Sequence, residues 1–247
     1  MRVLRPDWPA PARVRAAFTL RGGGVSAPPY QQLNLGSHVG DEPLAVSENR
    51  RRLRSALALP AEPLWLAQEH GTTVLHADRA GTEAQATAAP RADAAFTRQA
   101  GRVLAVLVAD CMPVLIARRD GAAVAVAHAG WRGLAAGVLE HTLAAFDCPG
   151  DELLAWLGPA IGPGHFEVGA EVKAAFGERP QSVAAFTANP RGRWQCDLSQ
   201  LVRARLLAGG VSSIHGQLRC TYAEPDAFFS HRRDRVTGRM AALIWLD

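Results

Sequence analysis

The chain has 247 residues, 48% of them hydrophobic, with a formal net charge of +4, a length that buries a sizeable core and is read as one domain. Its longest apolar stretch, Val103 to Ala109, stops at Asp110, far short of the roughly 20 residues a membrane-spanning helix needs. Met1 to Ala12 carries arginine, aspartate and proline with no apolar run behind it, so it does not read as a secretory signal and a cytoplasmic protein is expected.

Arg13 to Leu20 reads as a strand that Arg21-Gly22-Gly23-Gly24 breaks. Asp41 is the expected N-cap of a helix that starts near Pro43 and runs to about Leu57, before Pro60. That helix contains Arg50, Arg51, Arg52 and Arg54, read as a solvated face because no aromatic residues are interleaved as in single-strand binders. With Lys173 as the only lysine, the positive balance looks like compositional bias, and no nucleic-acid partner is expected. Short strands are predicted at Leu64 to Ala67, Val74 to Ala77 and Ala92 to Thr97, then buried strands at Val103 to Val108, Val114 to Arg118 and Ala122 to Ala127.

From Trp131 to about Phe146 the pattern is helical, and Leu153 to Leu157 returns to strand. Helices follow at Ala170 to Phe176 and at Leu198 to Ala208, the latter capped by Asp197, and strands at Ser213 to His215 and Ala241 to Leu246. The polar stretch from Gly177 to Arg193, broken by Pro180 and Pro190, is read as surface loops. Several strands in succession with irregularly placed helices favour a single-domain mixed α/β sandwich over a doubly wound parallel fold.

Cys111, Cys148, Cys196 and Cys220 are scattered, with no C-x-x-C pair, so reduced thiols rather than a disulfide framework are expected. The chemistry gathers in three segments: Gln68-Glu69-His70-Gly71, Ala109-Asp110-Cys111-Met112-Pro113 and His128-Ala129-Gly130-Trp131-Arg132-Gly133. Taken singly each has a plain structural reading: a histidine beside glycine, a small buried thiol, a core histidine at a strand end. Together, two histidines and a thiolate are ligand types that zinc takes, and three protein ligands leave a fourth tetrahedral position open, as in catalytic sites. Their wide spacing is no metal signature, so strand ends must bring them together.

The same strings, with Leu20 to Ser26, Leu33 to Asp41, Trp156 to Pro163, Phe166-Glu167-Val168-Gly169, Phe229 to Asp234 and Thr237-Gly238-Arg239, resemble the ordered motifs of the YfiH family over nearly the whole chain. That family is also called laccase-domain or polyphenol oxidase proteins and is described as purine nucleoside phosphorylases. The resemblance implies a single α/β domain over residues 1–247 and zinc on His70, Cys111 and His128. It further implies phosphorolysis of adenosine, inosine, guanosine and methylthioadenosine, with adenosine deamination. Arg21, Asn34, His38 and Arg132 fall in motif positions suited to substrate or phosphate. Gly164-His165-Phe166 departs from the pattern, since many relatives carry cysteine after Ile-Gly-Pro.

Zinc at such a site activates water for attack on the adenine ring, and the turn from Gly130 to Gly133 offers backbone N–H groups and Arg132 to an anion. Cys111, Asp110 and Arg132 are therefore the catalytic candidates, Asp110 preferably as a carboxylate orienting His70 or His128. Trp131 is open to a base-stacking or a core role, and Arg232-Arg233-Asp234 to a site role or a salt-bridged turn. The alternatives are a copper polyphenol oxidase, a peptidoglycan-precursor editing amidase and a non-enzymatic zinc module. Purine nucleosides and phosphate are the expected partners, without a membrane, of a monomer or weak homodimer.

Overall fold

The structure, a computed structural model, describes residues 1–78, 89–177 and 180–247. The chain begins with β1 (Val3–Leu4), β2 (Val14–Thr19), α1 (Pro43–Leu57), β3 (Val74–His76), β4 (Ala94–Thr97), β5 (Leu104–Val108), β6 (Met112–Arg118) and β7 (Val124–Ala129). It continues with α2 (Trp131–Ala136), α3 (Val138–Ala144), β8 (Leu153–Leu157), β9 (Glu167–Val168), α4 (Ala170–Ala175), α5 (Pro180–Val183), β10 (Phe186–Ala188) and β11 (Trp194–Cys196). The last elements are α6 (Leu198–Ala208), β12 (Ser213–His215), α7 (His231–Asp234) and β13 (Met240–Leu246).

The strands form a six-stranded mixed sheet in the order β12-β8-β6-β7-β4-β3, an antiparallel four-stranded sheet in the order β1-β2-β13-β5, and a small sheet β10-β11-β9. The period of two along each central strand explains their stacking. In β5, Leu104, Val106 and Val108 face the six-stranded sheet, while Ala105 and Leu107 join Leu53 of α1 on the opposite face. In β6, Leu115 and Ala117 enter the space between the sheets, and Val114 and Ile116 pack with Leu134, Leu139 and Leu206 from α2, α3 and α6. The result is the mixed α/β sandwich expected, helix on sheet on sheet on helix. Strands buried on both faces read as continuous apolar runs, which is why β5 to β7 were legible.

Local departures have local causes. The N-cap of α1 is Glu42, because the Asp41 carboxylate is occupied by Ser26 Oγ at 2.6 Å and Asn34 Nδ2 at 2.9 Å. Leu64 to Ala67 forms no strand and contributes only isolated bridges, from Leu64 to Leu104 and from Ala67 to Arg91. The helix expected from Trp131 to Phe146 is two helices, because Gly137 takes φ 106 and its N–H closes α2 on Gly133 and Leu134 before α3 begins. The span from Gly177 to Arg193 contains α5 and β10, so it is not all loop. Asp197 caps α6 as expected, its carboxylate accepting the Gln200 N–H at 3.0 Å. On α1, Arg51 and Arg52 pair with Glu48, as a solvated face does, whereas Arg50 turns inward to the Leu35 carbonyl and lies over Trp65.

Candidate functional site

Antiparallel pairing brings two of the three segments together. In the register of β6 and β7, Met112 faces Ala129 and Pro113 faces His128, so Cys111, one residue before β6, lies beside the end of β7. Asp110 makes the turn into β6 at φ 94 and His70 sits at φ 60, a left-handed backbone that costs non-glycine residues of order 1–3 kcal/mol and collects at functional sites. The nitrogen and sulfur donors of His70, Cys111 and His128 all lie within 4.8 Å of one another, with Cys111 Sγ 3.8 Å from His70 Nε2. Tetrahedral zinc with these ligands spaces its donors about 3.3–3.6 Å apart, so the cluster needs only a small contraction to hold it. His128 is buried, Cys111 half-buried and His70 exposed, which leaves one side of the cluster open.

Asp93 organises this cluster and was not anticipated. Its carboxylate accepts from the backbone N–H groups of Glu69 at 3.1 Å, His70 at 2.9 Å and Gly71 at 2.7 Å, and it holds His128 Nδ1 at 2.9 Å. One buried side chain thereby fixes the His70 loop and holds Nδ1 of His128, which leaves Nε2 for Cys111 and the cluster. The orienting role expected of Asp110 belongs to Asp93, because Asp110 is engaged elsewhere: it accepts from Thr221 Oγ1 at 2.6 Å and from the Arg232 N–H at 2.7 Å. An acid inside the apolar run Ala92 to Phe96 is the signal that would have found Asp93.

The electrostatics favour a thiolate at Cys111 and a proton on His128 that a bound metal would displace. Burial alone would push the Cys111 thiol up, but the imidazoles of His128 and His70 outweigh it and bring the thiol down to about 6. Burial would likewise lower His128, but the Cys111 sulfur and the Asp93 carboxylate raise it to about 9. Gly130 is a packing requirement, since a Cβ there would stand 2.8 Å from His70 Cδ2 and 2.9 Å from Cys111 Sγ. Gly130→Ala is therefore expected to weaken zinc binding by about tenfold or more with the fold retained. A chelator competition titration alongside circular dichroism checks this, and unchanged affinity would contradict the packing.

The cluster opens on a cavity of about 370 Å³. Trp131, Ile161, Phe166 and Leu198 line it with apolar surface and Arg132, Arg232 and Arg239 with positive charge, and His38 and His231 also line it. Asp110 is the only carboxylate on its wall among the described residues. The structure thus brings together His70, Cys111, His128, Asp110, Arg132 and His38. Arg21 and Asn34 do not line the cavity. Arg21 donates to the carbonyls of Gln31 and Pro225, and buried Asn34 bonds Gly36, Asp41 and the Arg239 N–H. Of the C-terminal trio, Arg232 reaches the cavity, while Arg233 and Asp234 form a salt-bridged turn. His165 lies apart, stacked on Tyr222 with ring centroids 4.4 Å apart and its Nδ1 3.5 Å from Cys220 Sγ.

The thiols divide by accessibility. Cys196 is buried and its thiol is pushed up to about 12, first by burial and then by Asp197, whereas Cys111, Cys148 and Cys220 are half-buried. In the native, metal-free protein a thiol reagent is expected to modify these three and spare Cys196, read by peptide mass spectrometry. Modification of Cys196 before unfolding would contradict the core placement.

Fold and site define a mixed α/β protein with a three-ligand cluster able to hold a metal, open on a cationic cavity. A family model described as multi-copper polyphenol oxidoreductase laccase matches residues 15–247. A purine nucleoside phosphorylase of Pseudomonas aeruginosa is 52% identical over 247 residues, covering 99% of this chain and 98% of that one. The purine nucleoside phosphorylase YfiH of Escherichia coli K12 is 49% identical over 245 residues, 99% of each chain. A crystal structure of a Neisseria meningitidis protein superposes with a TM-score of 0.94 at 48% identity over 100% of both chains. The crystal structure of YlmD from Geobacillus stearothermophilus gives 0.87 at 37% identity, over 95% of this chain and 92% of that one. The chain belongs to the YfiH family, the laccase-like family of that model.

Proposed function

We propose that this chain is a zinc-dependent purine nucleoside phosphorylase of adenosine, inosine, guanosine and methylthioadenosine, with adenosine deaminase activity at the same site. The observation that carries the reading is the cavity, whose lining combines a three-ligand cluster with an open side, three arginines and one already engaged carboxylate. That combination suits an uncharged nucleoside beside an anionic co-substrate. Relatives named purine nucleoside phosphorylase, matched over essentially the whole chain, support it.

His70, Cys111 and His128 would hold zinc, which supplies Lewis acidity and activates water near neutral pH when bound. Trp131 and Phe166 offer aromatic faces to the base, and Asp110 fixes the turn that presents Cys111. Arg132, exposed with its guanidinium 4.4 Å from the Trp131 ring centroid, brings charge to the cavity wall. In phosphorolysis a phosphate oxygen bonds to the anomeric carbon as the bond to the purine nitrogen breaks. That nitrogen leaves with the electron pair and gains a proton, giving ribose 1-phosphate and free base. The protein's part is to bind, align and exclude water.

We read residues 1–247 as one cytoplasmic domain, monomeric or weakly dimeric. Among the described residues no helix is long and apolar enough to cross a membrane. Copper fits imidazole and thiolate as well, but a multicopper centre needs further histidine clusters, and the described residues hold one cluster of three possible ligands.

Incubating the purified metal-loaded protein with adenosine, with and without phosphate, tests the proposal. Adenine and ribose 1-phosphate are expected only with phosphate, and inosine in both. Turnover of a peptidoglycan-precursor amide with none of adenosine would replace this reading by the amidase. No turnover with a protein ligand in the fourth coordination position would leave a non-enzymatic zinc module.

A further inference from the structure

We infer that the anionic co-substrate is seated by Arg239 and His38, at the junction of the Asn34 loop with the start of β13, rather than at the Trp131 helix start. This rests on the phosphorylase reading and assigns the anion's place within it.

Arg239 lines the cavity and is firmly held. Its backbone N–H donates to Asn34 Oδ1 at 2.9 Å, its carbonyl accepts the Leu35 N–H at 3.2 Å, and its Nη1 donates to the carbonyls of Thr237 at 2.9 Å and Gly238 at 3.1 Å. Nε and Nη2 are left without a protein hydrogen bond, and no carboxylate pairs with this guanidinium among the described residues. Burial pulls its pKa down while the nearby Cys111, Asp110 and Tyr30 pull it up, so this cation lies close to the metal cluster. A half-buried guanidinium with two free donors on a rigid stem is the geometry that takes two oxygens of a phosphate at once.

His38 lines the same cavity and is close enough to Arg239 to feel its charge. Burial lowers its pKa, and Arg239 and then Arg50 lower it further, so cations face it from the Thr237 to Arg239 turn and from α1. Its imidazole provides an N–H donor to an anion held by Arg239 in the same cavity. The Trp131 helix start is less suited. Its helix has six residues, its first turn is packed on His70 and Cys111 through Gly130, and Arg132 is exposed to water.

The test uses zinc-loaded protein and inorganic phosphate, with calorimetric binding and the phosphate KM as readouts. Arg239→Gln and His38→Gln are each expected to raise the phosphate Kd and KM by about tenfold or more, the loss of at least one charge-assisted hydrogen bond. Zinc content and the nucleoside KM should hold, and Arg132→Ala should raise the phosphate KM less than Arg239→Gln. Should Arg239→Gln lose its fold, His38→Gln decides. Unchanged phosphate binding in the folded variants, or a larger effect from Arg132→Ala, overturns the assignment and leaves the phosphorylase reading standing. A wild-type protein whose turnover ignores phosphate overturns that reading itself.

Discussion

Cys111→Ala and His128→Ala are each expected to cost the protein most of its zinc, against about one zinc per chain in the wild type, and nearly all turnover. Three ligands with one open position leave no redundancy, and loss of a thiolate or an imidazole reduces the protein's share to two. The two variants should differ in stability. Cys111 lies at a half-buried turn, and alanine there leaves no polar group behind. His128 is buried against Asp93, so its removal takes one of two hydrogen bonds from the Asp93 Oδ1 anion, leaving it the His70 N–H, and should cost a further 1.5–3 kcal/mol, roughly. His70→Ala should resemble Cys111→Ala in stability, because the His70 ring is exposed and its loop is held through backbone N–H groups that the substitution leaves in place. Elemental analysis and thermal melts of the metal-free variants read both effects. Full zinc occupancy in Cys111→Ala and His128→Ala would remove the metal assignment.

Much of the fold was legible because burial on both faces leaves a mark on composition. Val103 to Val108, Val114 to Arg118 and Ala122 to Ala127 are apolar at every register position but Arg118, and the structure places them in two stacked sheets. What was illegible depended on single residues. Nothing in Trp131 to Phe146 marks Gly137 as a break rather than a tolerated helical glycine, since the difference is a backbone angle that packing selects. Leu64 to Ala67 has a strand's composition but meets its neighbours only at single bridges. The cluster itself was legible from ligand types, with His70, Cys111 and His128 each beside a turn residue, but its support was not. Asp93 and Arg239 are distant in sequence from the groups they serve, and an acid in a strand or an arginine after glycine has no local signature until the sheets bring the cluster to them.

Asp93 accordingly carries the second large expectation: Asp93→Ala should weaken zinc binding by about 10–100-fold and lower stability by about 3–5 kcal/mol, although Asp93 is not among the three metal donors. Its carboxylate accepts four hydrogen bonds, three from the His70 loop and one from His128. The loop N–H groups can turn to water when it is gone, because Glu69 and His70 are exposed, but His128 Nδ1 is sealed in the core and has no second partner. Two of the three zinc ligands would then lose their orientation together. Burial works against the Asp93 anion, yet the hydrogen bonds from His128, Gly71 and Glu69 keep its pKa below the usual carboxylate value, so the site depends on its charge as well as its shape. Asp93→Asn separates the two, since an amide of the same shape accepts at one oxygen and presents donors where the second oxygen stood. Zinc affinity between wild type and Asp93→Ala is expected for it. If Asp93→Ala melted earlier while binding zinc as tightly as wild type, Asp93 would be a fold residue only, and the ligands would have to be positioned by β6 and β7 alone.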